Sequence, residues 1–207
     1  MDPSFDSLPP PVVGAVILAA GQSRRMGQPK MALPWGDTTV IGRVAQVLLQ
    51  AGAGPVVAVT GGARQTVEAA LQGLPVQCAH NPRFAEDQMA FSLQTGLQAL
   101  PPGVDAALVA LGDQPQLEVG PVRQVLAAYR AERAPLVIPS FEMRRGHPWL
   151  IDRRLWPEAL ALQPPATLRQ LLNAHAAAIC YVTVDSASIL ADLDTPEDYQ
   201  RARPGAV

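Results

Sequence analysis

The sequence predicts a single α/β domain with a mostly parallel central sheet and helices on both of its faces. Two observations carry that prediction. The apolar runs at residues 12–20, 55–60 and 106–111 have the composition of strands buried on both sides, as parallel sheets require. Between such runs lie segments of about ten to fifteen residues with apolar positions at helical spacing, and strand and helix in alternation mark βαβ units. With 207 residues the chain can close a substantial core. The expected division is a disordered leader at 1–11 followed by one domain at 12–207.

Residues 12–20 are the first strand and 21–34 a loop. Asp37 or Thr38 is expected to cap a helix running to about residue 51, with Val40, Val44, Val47 and Leu48 on one face and Gly52 as its stop. The strand at 55–60 ends at Gly61-Gly62. A short helix at 64–72 and a short strand at 76–79 follow. After Asn81-Pro82 comes a loop, then a helix at 89–100 that sets Phe91, Leu93, Leu97 and Leu100 inward. The strand at 106–111 runs into Gly112-Asp113-Gln114-Pro115, and a helix at 119–132 leads to a strand at 136–139. Beyond Ser140 the pattern changes. Residues 141–149 are basic and punctuated by Gly and Pro, helical pieces are expected at 152–162 and 166–176, and 179–184 alternates like a strand. Residues 192–199 read as an acidic turn feeding a helix with Pro196 in its first position.

Composition excludes several functions. A net charge of -2 gives no basic field for nucleic acid or an anionic membrane, so any anion must be held by a local cluster. The leader carries two acids and four prolines and no basic n-region, unlike a signal peptide. No apolar stretch reaches the ~20 residues that span a bilayer. Cys78 and Cys180 are far apart in apolar runs and read as buried free thiols, with no CxxC or His-rich cluster for zinc. The expected location is the cytoplasm.

The loop Gly21-Gln22-Ser23-Arg24-Arg25-Met26-Gly27-Gln28-Pro29-Lys30 leaves a core strand where open α/β sheets place ligands. Gly21 and Gly27 permit positive φ and close backbone approach, which turns successive N–H groups toward phosphate oxygens. Arg24 or Arg25 offers a fork for phosphate and Lys30 a point charge. The loop is neither a Walker A motif, lacking Gly-Lys-Ser/Thr, nor a GxGxxG fingerprint. Asp113, at the end of the 106–111 strand, is placed to hold a hard divalent cation, although an acid in that position is more often a cap or turn. His147 by itself would be structural or solvated.

Together, Leu18-Ala19-Ala20-Gly21-x-Ser23-x-Arg25-Met26-Gly27-x-x-Lys30 resembles the signature of nucleotidyltransferases of the molybdenum-cofactor type, above all the molybdenum cofactor cytidylyltransferases. The resemblance covers about residues 13–202. It implies a three-layer, Rossmann-like nucleotide-diphospho-sugar transferase fold of the GT-A-like kind. It implies that Leu18, Ala19, Ala20, Gly21, Ser23, Arg24, Arg25, Gly27 and Lys30 wrap a triphosphate, with Arg25 and Lys30 neutralising charge. Gly112-Asp113-Gln114-Pro115 and Asp192-Leu193-Asp194-Thr195-Pro196-Glu197-Asp198 resemble the metal-binding segments. Mg²⁺ is then expected on Asp113 and Asp192, with Asp194 the alternative second ligand. Thr195, Glu197 and Asp198 are expected to build a helix start.

Arg145-Gly146-His147-Pro148 resembles the acceptor-side Gly-His-Pro segment. Ser92 and Gly96 match the helix that approaches base and ribose, where the usual preceding glycine is replaced by Asp87 or Gln88; Thr60-Gly61 is another place to read a base edge. The paired alanines 19 and 20 resemble the cytidylyl-transferring branch. The implied reaction is transfer of CMP from CTP, or of the corresponding unit from GTP, to a molybdopterin-type acceptor with release of pyrophosphate. The implied partner is a molybdoenzyme or its chaperone. The alternatives are transfer to a phosphorylated sugar, polyol or phospholactate, or a carrier of the cofactor without chemistry.

Overall fold

The computed structural model describes residues 9–86 and 88–205, with the side chain of Arg24 excluded. Residues 1–8, most of the expected leader, and Asp87 lie outside the described residues; Pro11 is already buried. In chain order the strands are β1 (Val13–Ala19), β2 (Pro34–Trp35), β3 (Thr38–Thr39), β4 (Val56–Thr60), β5 (Val76–His80), β6 (Ala106–Leu111), β7 (Leu136–Phe141), β8 (Arg144–Arg145), β9 (Trp149–Asp152) and β10 (Ile179–Thr183). The helices are α1 (Val40–Ala51), α2 (Arg64–Ala70), α3 (Met89–Ala99), α4 (Val119–Glu132), α5 (Trp156–Ala161), α6 (Leu168–Ala174) and α7 (Pro196–Ala202).

The main sheet runs β10-β7-β9-β6-β1-β4-β5, with β8 folded back onto β7. β1 pairs in parallel with both β4 and β6, and β10 with β7. All seven residues of β1 are buried, and they alternate between two cores. Val13, Ala15 and Ile17 join Ile41, Val44 and Leu48 of α1 and Val122, Val125 and Leu126 of α4. Val16 and Leu18 face Leu93 and Leu97 of α3, with Trp156 of α5 and Leu171 of α6 beyond. That is the expected three-layer frame, and it lines up the C-terminal ends of β1, β4 and β6 along one edge.

Two local expectations are corrected. Thr39, not Asp37 or Thr38, caps α1: its hydroxyl accepts from Gly42 N at 3.1 Å, while Thr38 and Thr39 pair with Pro34 and Trp35 in a small hairpin. The helix expected from residue 152 begins late, because Trp149–Asp152 forms β9, antiparallel to both β6 and β7. Four consecutive buried residues show no period, so a strand and a helix start look alike there. Asp152 ends β9 by accepting Arg154 N at 2.8 Å, and its other oxygen accepts Tyr129 OH at 2.8 Å.

A third, smaller core of Met26, Trp35, Val40, Leu193 and Tyr199 sits under the basic loop. Tyr199 of α7 donates to Pro34 O at 2.8 Å. The chain's last helix is thereby anchored to its first loop.

Candidate active site

Beyond Ala20 the loop makes two short 3-10 turns, Arg24–Met26 and Lys30–Ala32. Of the two glycines expected to use positive φ, only Gly27 does, at 66°; Ser23, at 48°, takes the left-handed position instead of Gly21. Ser23 is then held in the loop, its hydroxyl accepting from Lys30 N at 3.3 Å. Met26 and Met31 are buried below and pin the turns, leaving Arg25 at the surface. Above them opens a cleft of about 550 Å³ at the ends of β1 and β6.

Lys30 is buried, and its ammonium pairs with Asp113, donates to Leu193 O at 2.8 Å and lies 3.6 Å from Asp194. Arg25 is 3.0 Å from the same Asp194 oxygen. Leu193 N donates to Asp113 O at 3.0 Å, fastening the acidic turn beside β6. Asp192 is held differently: it accepts from the side-chain amide of Gln114 at 2.6 Å. Burial pushes the Asp192 carboxyl above its ordinary range; Gln114 and Lys30 oppose that, while Asp113 and Asp194 add to it. Two cations thus meet three carboxylates within one cleft wall.

Asp113 and Asp192 supply hard oxygen donors, and both line the cleft. Among the described residues no three Asp, Glu, His or Cys side chains group as a metal cage. The donor set therefore fits a cation that takes one or two carboxylates and fills its shell with phosphate oxygens and water, as Mg²⁺ does. Asp194 is paired with Arg25 and Lys30, whereas Asp192 has a neutral partner in Gln114.

Of the nucleotide candidates, Leu18, Ala20, Gly21, Ser23, Arg25, Lys30, Ser92 and Asp113 line the cleft. Ala19 turns the other way, into the core under α1 and α4. Thr60 is fully buried and bonds back to Ala79 O at 3.5 Å. Gly61 supports the cleft from behind: a Cβ there would lie 2.8 Å from Ala20 Cα. Gly27 shapes the loop without lining the cleft, and the Arg24 side chain lies outside the described structure.

In the segment expected to meet the acceptor, Gly146 N donates to Pro139 O and His147 N to Ile189 O, both at 2.9 Å. Burial holds His147 down at about 4 against an ordinary 6.5, and the nearby charge of Asp113 only partly offsets that, so the imidazole is neutral at neutral pH. None of Arg145, Gly146 and His147 is among the residues lining the cleft. Arg145 is exposed on β8, and its guanidinium is taken up by Tyr181 and, at 3.3 Å, by Asn173.

By resemblance the segment 81–97 was expected to approach base and ribose, but within it only Ser92 was named as a nucleotide contact. Asn81 is buried and donates to Ser92 Oγ at 3.1 Å, and Phe84, Gln88 and Met89 complete that wall. Arg83 lies 3.4 Å from the Phe91 ring centroid and braces it. Gln114 was legible only as part of a motif; its contact with Asp192 spans 78 positions.

The chain is similar in sequence and in fold to several known proteins. The molybdenum cofactor cytidylyltransferase of Escherichia coli K12 is 28% identical over 196 residues, covering 92% of this chain and 95% of that protein. Nicotine blue oxidoreductase of Paenarthrobacter nicotinovorans is 32% identical over 198 residues, covering 92% of this chain and 96% of that protein. The crystal structure of Rv0371c from Mycobacterium tuberculosis H37Rv in complex with manganese superposes with a TM-score of 0.75 at 29% identity, covering 93% of this chain and 98% of that one. The profile of the MobA-like NTP transferase domain matches residues 15–179, the span from β1 to the start of β10, and the chain accordingly belongs to that nucleotidyltransferase family.

Proposed function

We propose that residues 12–207 form a cytidylyltransferase that moves CMP from CTP to a molybdopterin-type cofactor and releases pyrophosphate. The observation that carries this reading is the convergence of Arg25, Lys30, Asp113 and Asp192 on one cleft at the ends of β1 and β6. The backbone of the Gly21–Gly27 loop and Arg25 bind the triphosphate. Lys30 leaves its pair with Asp113 to neutralise charge that grows in the transition state. Asp113 and Asp192 would hold Mg²⁺, which supplies charge neutralisation on the phosphates when bound. The acceptor phosphate is an anion at neutral pH, so no general base is needed. Gly146 and the neutral His147 border the acceptor, and alignment for in-line attack does the rest.

Overall likeness does not choose the reaction, since a relative 32% identical over 198 residues is named an oxidoreductase. The charged set favours nucleotidyl transfer over a bare cofactor carrier, which needs neither a triphosphate loop nor paired acids. The test is pyrophosphate release with each of the four nucleotides, with Mg²⁺, and with and without molybdenum cofactor. Release from CTP that depends on the cofactor is expected. Release only with a phosphorylated sugar, polyol or phospholactate would replace the acceptor, and no release under any combination would end the reading.

A further inference from the structure

We propose that Gln114 is a positioning residue that aims the Asp192 carboxylate at the divalent cation and ties it to the acceptor-side segment. The inference rests on the reading of Asp192 as a metal ligand. Gln114 is 2% exposed and follows Asp113 directly. Its Nε2 donates to Asp192 Oδ1 at 2.6 Å and to Ile189 O at 3.4 Å. The same Ile189 carbonyl accepts His147 N at 2.9 Å. A single amide group therefore touches the metal carboxylate and the carbonyl on which the acceptor segment hangs.

The orientation of the amide is determined. Both partners of Nε2 are oxygens, so the reversed amide would set oxygen against oxygen twice. In the orientation observed, Gln114 Oε1 is buried with no hydrogen-bond partner among the described residues. A buried acceptor left unpaired destabilises a fold, and an apolar side chain of the same length would pack without that cost. With that oxygen unpaired, what the glutamine supplies at this position is the pair of hydrogen bonds from Nε2. Asp113 and Asp194 are held by cations, Lys30 and Arg25, that cancel their charge. Asp192 is held by a neutral donor, which fixes the direction of the carboxylate and leaves its charge to bind a cation. Hydrogen-bonded support of this kind around a ligand sets metal affinity.

The test measures Mn²⁺ binding to the full chain with CTP and no acceptor, from the electron paramagnetic resonance signal of free Mn²⁺. Gln114→Met, Gln114→Asn, Asp192→Asn and the Gln114→Met/Asp192→Asn double variant are compared. Gln114→Met is expected to bind Mn²⁺ about tenfold or more weakly, with Tm equal to or above that of the parent and CTP binding without metal unchanged. The double variant is expected to bind no more weakly than Asp192→Asn alone, because Gln114 acts through Asp192. Gln114→Asn, whose shorter amide withdraws from Asp192, is expected to show the same loss and serves if the Met variant does not fold. Loss of Mn²⁺ in Asp192→Asn with parental affinity in both Gln114 variants overturns the positioning role alone, as do additive losses in the double variant. Parental affinity in Asp192→Asn overturns the ligand reading beneath it.

Discussion

Lys30 and Asp113 form an ion pair in the cleft, with side chains only 11% and 17% exposed, and in the proposed reaction Lys30 leaves that pair for the nucleotide phosphates. Lys30→Ala and Asp113→Ala are each expected to lower kcat about 10²–10³-fold, the cost of removing one preorganised group from a charged transition state. Far-UV circular dichroism should be unchanged, and near-parental rates in both would remove these residues from the mechanism. His147 offers a pH test. Its folded value, about 4, is below its ordinary 6.5, so the fold prefers the neutral ring. The stability this contributes is complete above 6.5 and is lost as pH falls from 6.5 toward 4. Asp192, raised by burial, acts in the opposite sense on acidification, so the readout is the difference in Tm between parent and His147→Asn across that range. The parent should lose more, and equal slopes would contradict the assignment. At this scale Arg25, Lys30, Asp113 and Asp192 could be singled out in the sequence because the loop, strand end and acidic turn that carry them are local motifs, and all four line the cleft. Arg145 was not, because its partners Asn173 and Tyr181 lie on α6 and β10.

Among the elements, those with long periodic patterns or strong caps were readable. The helix expected at 119–132 coincides with α4, and Gly52, at φ 95°, stops α1 as anticipated. Thr195 and Asp198 form the expected reciprocal cap behind Pro196. The start of α1 was misread by one or two positions because Asp37, Thr38 and Thr39 are all competent caps; the pairing of β2 with β3 decides among them. Thr39→Ala is expected to cost about 1 kcal/mol in urea unfolding, and Thr38→Ala much less. The reverse ranking would place the cap elsewhere. β9 escaped because its four buried residues, following Pro148 and ending in Asp152, carry no period of their own.

For the molecule as a whole, the decisive feature is that reversed strand. β9 separates β6 from β7, and Tyr129 on α4 reaches Asp152 at its end. Burial and the hydrogen bond to Asp152 push the Tyr129 hydroxyl up to about 12 from an ordinary 10. Burial alone would raise the Asp152 carboxyl, yet hydrogen bonds from Arg154 and Tyr129 more than offset it and hold the carboxyl low. For the tyrosine the folded value is raised, so its contribution is complete below pH 10 and is lost as pH rises toward 12. Tyr129→Phe should be about 1.5–3 kcal/mol less stable at pH 8, with a flatter decline above pH 10, measured by denaturant unfolding. Identical alkaline slopes would separate the hydroxyl from the stability of β9. None of the helices among the described residues is long and apolar enough to cross a membrane.

By itself the sequence determined the parallel frame of β1, β4 and β6, the loop from Gly21 to Lys30, and the acids that answer it. Strand burial, glycine stops and caps act over a few residues, so their signals are complete within a short window. Tertiary structure alone decided that Asp192 is held by Gln114 while Asp194 is drawn to Arg25, that Thr60 is sealed in the core, and that Arg145 faces Tyr181. Those outcomes depend on contacts between residues from about twenty to more than a hundred positions apart, brought together only when the sheet closes.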